Sequence, residues 1–72
     1  MSAFESLQQQ LSMKSPDARE LYDLALELHS NLVRGDMMIG ILPLEAPQVM
    51  LDGFRRAAEL GVDEAWLDSR AT

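Results

Sequence analysis

The stretch from Ala18 to Arg34 constrains the fold more than any other part of the chain, because its apolar residues recur at helical spacing over more than half of a cylinder. Ala18, Leu21, Tyr22, Ala25, Leu28, His29 and Leu32 follow one another at steps of three and four and so make one continuous face. Leu24, Leu26 and Val33 widen it, while Glu20, Asp23, Glu27 and Arg34 take the opposite side. A helix with so broad an apolar side must meet neighbours on two flanks, as the central element of a helical array or at a dimer interface. Ser15-Pro16-Asp17 supplies its start: a hydroxyl cap, a proline where no backbone N–H is needed, and negative charge at the positive end of the helix dipole. Gly35 supplies its stop, so the spacing predicts a helix ending at Arg34. His29, within the stripe, is expected to pack with its ring nitrogens satisfied locally.

Two further helices flank this one. Ser2 and Glu5 have the spacing of a capping box ahead of a helix over about residues 3 to 13, with Phe4, Leu7 and Leu11 on its apolar side. That helix is short and depends on docking for its order. A third is predicted from Pro47 to Leu60, with Met50, Phe54, Ala57 and Ala58 facing inward and Leu51 and Leu60 broadening that face. Gly53 costs a helix interior about 1 kcal/mol relative to alanine. It marks either a close backbone approach or a tolerated imperfection. Gly61 can take the left-handed conformation that closes a helix, and Asp63 can cap a last one carrying Ala65, Trp66 and Leu67. The expectation is an all-α chain: a small helical hairpin array or bundle of three main helices plus a short C-terminal helix. It divides into an N-terminal helix in 1–14, a helical hairpin over 15–61 with an apolar connector at 36–46, and the start of a further helix in 62–72.

The connector is unusual in composition. Met37, Met38, Ile39, Ile41, Leu42 and Leu44 are large and apolar, yet Gly40, Pro43 and Pro47 prevent a long regular helix. Connecting segments otherwise stay polar at the surface. Either these side chains cap the helical core, or they form a hydrophobic docking loop in which methionine adapts to a partner. A strand from Met37 to Leu42 would have no convincing partner strand.

Composition bears on function mainly by exclusion. A chain of 72 residues buries only about 60% of the surface that its unfolded form exposes, so contact with a partner is an attractive way to complete the core. Without cysteine there is no disulfide, no cysteine-ligated zinc and no thiol catalysis. A formal charge of −6 repels phosphate backbones and anionic membranes, and the one basic pair, Arg55 and Arg56, diverges around a helix. The residues after Met1 show neither the basic region nor the apolar run of an export signal, and no stretch has the length of a membrane span. These features lead us to expect a cytoplasmic protein that binds neither nucleic acid nor membrane.

Phe54-Arg55-Arg56-Ala57-Ala58-Glu59-Leu60-Gly61, followed by Asp63-Glu64-Ala65-Trp66-Leu67, resembles the junction between two Sel-one-like repeats, a branch of the tetratricopeptide-type helical solenoids. The resemblance covers about residues 17 to 69. It implies that Ala57 and Ala58 permit close helix packing, that Gly61 turns the chain, and that the chain belongs to a protein-binding scaffold, of which it would be a terminal piece. Met50 departs from the pattern where alanine is favoured and Gly53 where an aromatic residue is. Tyr22-Asp23 and Ser69-Arg70 stand where a Leu-Gly pair is expected, and the connector is longer and more apolar than the usual turn.

Catalytic chemistry is sparsely supported. His29 is the sole histidine and has no positioned nucleophile and orienting group beside it in sequence. Glu20, Asp23 and Glu27 gather on one side of a helix, where a solvated face explains them better than acid–base work, and they lack the pattern of a calcium loop. Gly35 and Gly40 do not make a phosphate loop. We therefore expect no enzyme, no cofactor, no metal and no small-molecule substrate. The expected role is a protein-protein interaction module or adaptor that binds another protein or a second copy of itself. Candidate contacts are Met37, Met38, Ile39, Ile41, Leu42, Leu44 and Trp66, the last shared between core and interface readings. A small acidic inhibitory protein of the antitoxin or immunity type, covering a basic site through Glu20, Asp23 and Glu27, is the alternative.

Overall fold

The computed structural model describes residues 2–35, 40 and 42–62. They form three helices, α1 (Ala3–Ser12), α2 (Ala18–Val33) and α3 (Ala46–Leu60), and no strand occurs among the described residues. Each helix touches the other two, and α2 and α3 share the most extensive contact. The result is the all-α bundle of three main helices that the periodicity calls for. The short helix expected from Glu64 lies outside the described residues.

Local chemistry sets the helix ends. The N–H of Glu5 donates to Ser2 Oγ at 3.2 Å, and the Ser2 hydroxyl in turn lies 3.4 Å from Glu5 Oε1. At α2 the cap is Asp17, where the sequence pointed to Ser15. Asp17 Oδ1 accepts from the N–H groups of Arg19 at 2.9 Å and Glu20 at 3.2 Å. A carboxylate there satisfies two unpaired donors and also lies at the positive end of the dipole, which a hydroxyl does only weakly. Pro16, buried, precedes the cap. α2 ends at Val33, one residue before the expected Arg34, which is its C-cap. α3 starts at Ala46 out of a turn in which the Ala46 N–H donates to the Pro43 carbonyl at 3.1 Å. It closes at Gly61, whose φ of 94° is left-handed. There the N–H of Gly61 reaches the Ala58 carbonyl at 3.2 Å and that of Val62 the Ala57 carbonyl at 3.3 Å, the paired bonds of a glycine-terminated helix.

The core is one cluster fed by every element: Phe4 and Leu7 from α1, Leu21, Ala25 and Leu28 from α2, Ala46 and Ala57 from α3, and Leu42 from the connector. At its centre α3 presents Gly53 to the other two helices. A Cβ on Gly53 would stand 2.9 Å from Leu7 Cδ1 and 3.2 Å from Ala25 Cβ. The glycine is therefore a close approach, and the helical propensity it forfeits is the cost of bringing three helices to one point. Tyr22, half-buried, meets Phe54 edge to face with ring centroids 5.4 Å apart.

Several side chains sit elsewhere than their hydrophobic pattern implies. His29 is exposed, not packed, because the neighbours of α2 converge on Leu21, Ala25 and Leu28 and leave the edge of the stripe in solvent. Ala58 is exposed too, as are Leu51 and Leu60, so the inward face of α3 is centred on Ala46, Gly53 and Ala57, with Met50 and Phe54 half-buried at its margin.

Candidate interaction surface

The sequence candidates divide on the structure. Leu42 is buried in the core, whereas Leu44, two residues on, is 86% exposed. Met37, Met38, Ile39, Ile41 and Trp66 lie outside the described residues. Glu20 and Glu27 are exposed on α2, and Asp23 between them is half-buried. The connector thus contributes one side chain to the core and one to the surface, and the choice between core cap and docking loop has a different answer at each.

Two residues that sequence patterning assigned to inward faces join Leu44 outside. Val33, at the end of α2, is 73% exposed, and Leu51 on α3 is 55% exposed. Leu51 and the exposed Ala58, seven residues apart, line up along α3 on the side away from Gly53, and the exposed Leu44 lies in the turn that leads into the helix. The signal was present in the sequence as that spacing. It was obscured because the same helix has enough other apolar residues to fill an inward face.

Beside this line runs a polar one. Gln48 Nε2 donates to Asp52 Oδ1 at 3.0 Å, and the Arg55 guanidinium lies 3.3 Å from the same oxygen and 3.9 Å from Glu59 Oε1. Arg56 reaches Glu59 Oε2 at 3.2 Å. Exposed pairs at these spacings contribute only about 0.3–0.5 kcal/mol each. Their larger effect is positional, since both arginines of the basic pair are engaged by carboxylates of their own helix and make no basic patch.

Among the described residues no group of three or more His, Asp or Glu side chains is placed to hold a metal ion, no pocket opens, and no helix is long and apolar enough to cross a membrane. What the described surface offers is contact area on a small all-α bundle. Comparison with protein-family models, with curated proteins and with solved structures gives no match to this chain.

Proposed function

We propose that the chain is a protein-protein interaction module or adaptor, binding through the apolar side chains that flank the connector and continue along α3. One observation carries this reading: α3 buries alanine and glycine while exposing leucine. Leucine gains far more than alanine from leaving water, and large apolar side chains aligned on one exposed face are a common mark of a contact surface. The Sel-one-like resemblance supplies a wider setting. In support, Ala57 is buried at the helix contact and Gly61 turns the chain, the roles that family gives those positions. Ala58, exposed, departs from its role there.

A second reading, the acidic inhibitor, is favoured by Glu20 and Glu27, which are exposed seven residues apart on α2. One experiment separates the two. Proteins retained by the immobilised chain are compared for the wild type, a Val33→Asp/Leu44→Asp variant and a Glu20→Gln/Glu27→Gln variant, with helix content followed by circular dichroism. The apolar variant should keep its helices and lose its retained partners, and the glutamine variant should keep both. Retention lost only in the glutamine variant would establish the acidic reading instead.

A further inference from the structure

We infer that the Asp52–Gly53 step is a site of spontaneous covalent change, held closed by the fold and opened whenever α3 unwinds. It is the only aspartate–glycine step in the chain, and no asparagine precedes a glycine. An aspartyl carboxyl can be attacked by the backbone nitrogen of the next residue, and glycine is the most permissive follower because it has no side chain to hinder the approach. The Gly53 nitrogen bonds to the Asp52 carboxyl carbon, and the carboxyl hydroxyl leaves as water with the amide proton, closing a five-membered imide. Water then reopens the ring. Attack at the side-chain carbonyl restores aspartate. Attack at the former peptide carbonyl breaks its bond to the Gly53 nitrogen and leaves isoaspartate, with the main chain routed through Cβ and Cγ. The net change is an isomerisation that uses no reactant besides water.

The folded chain keeps the ring from closing. Asp52 and Gly53 lie in the interior of α3, where the Gly53 N–H is committed to the helix ladder. Closure requires a ψ at residue 52 far from the helical value of about −42°. The carboxylate is held as well, since Gln48 Nε2 at 3.0 Å and the Arg55 guanidinium at 3.3 Å both donate to its Oδ1. Gly53 itself is buried against Leu7 and Ala25, so it cannot swing toward the carboxyl without parting the three helices.

The same burial makes the change one-way. Isoaspartate inserts one carbon into the main chain directly before Gly53 and moves the free carboxylate to the α-carbon. The insertion falls where even a Cβ would stand 2.9 Å from Leu7 Cδ1 and 3.2 Å from Ala25 Cβ. Across it, α3 cannot both keep its helical register and seat Gly53 in the core. The residue that lets three helices meet is thus the one that makes the preceding aspartate reactive, and the fold shields a linkage whose rearrangement it does not survive.

The test incubates the full chain at physiological temperature and neutral pH, folded in buffer and unfolded in guanidinium chloride, and locates isoaspartate at residue 52 by peptide mapping with electron-transfer fragmentation. The unfolded chain should accumulate it at least about tenfold faster, because the folded rate follows the fraction of time that α3 is open. Leu28→Ala, which empties part of the core, should raise the rate in buffer toward the unfolded one and leave the rate in guanidinium chloride unchanged. The isomerised chain, separated and diluted out of denaturant, should fail to recover its helical circular dichroism. Asp52→Glu, whose longer side chain disfavours the five-membered ring, should refold after the same incubation. Equal rates in the two conditions, no isoaspartate in the unfolded chain, a rate in buffer that Leu28→Ala does not move, or an isomerised chain that refolds with the wild-type midpoint would overturn the inference.

Discussion

In α2 the fully buried positions are Leu21, Ala25 and Leu28, whereas in α3 the buried ones are Ala46, Gly53 and Ala57. The helices are nearly equal in length, at 16 and 15 residues, and pack against each other. They contribute to the same core by different means. α2 fills volume, because leucine removed from water is worth about 1.5–3 kcal/mol when fully buried. α3 supplies proximity: with little side chain between it and its neighbours, its backbone comes within reach of Leu7 and Ala25. A helix that packs most closely through its smallest residues can leave a larger one for another surface, and Leu51, opposite Gly53 on α3, is where that shows.

This contrast can be broken by substitution. Leu28→Ala should be the most damaging change, about 3–4 kcal/mol, because it removes three packed carbons at a site with no exposure and leaves a cavity. Urea unfolding would show the loss as a lowered midpoint with an unchanged slope. Gly53→Leu should cost about 3 kcal/mol by the opposite mechanism, forcing bulk into a gap that already lacks room for one Cβ. If that variant proved as stable as the wild type, the close approach of α3 would be wrong. Leu51→Ala should change stability by less than about 0.5 kcal/mol, as befits a surface position. A cost above 1.5 kcal/mol, roughly that of burial, would mean that this chain covers its own outer face.

Which features were legible in the sequence follows from what each one depends on. Helix positions depend on local signals, and Ser2 with Glu5, Pro47 early in α3 and Gly61 at its end all sit where those signals put them. The α2 cap lies two residues beyond Ser15 because both residues are good caps and Asp17 is the one whose carboxylate meets the first N–H groups of the helix. The orientation of α3 was harder to read, since periodicity weights residues by hydrophobicity whereas a close contact selects them by size. Periodicity therefore points Leu51 and Ala58 inward and does not say what Gly53 does. His29 shows the same limit on α2, where the apolar stripe is wider than the neighbours that cover it. Of the candidate contacts, Leu44 was legible as an apolar residue between two prolines, but nothing in the sequence distinguishes it from the buried Leu42.

The missing side chain at position 53 also fixes α3 in rotation. A roll of the helix that carried Leu51 toward the core would have to replace the glycine with a side chain where Leu7 and Ala25 leave no room, so that rotational state is sterically closed. The notch behaves like a keyway on a shaft: it sets the angle at which the helix seats, and so determines which residues the molecule presents on its outer side.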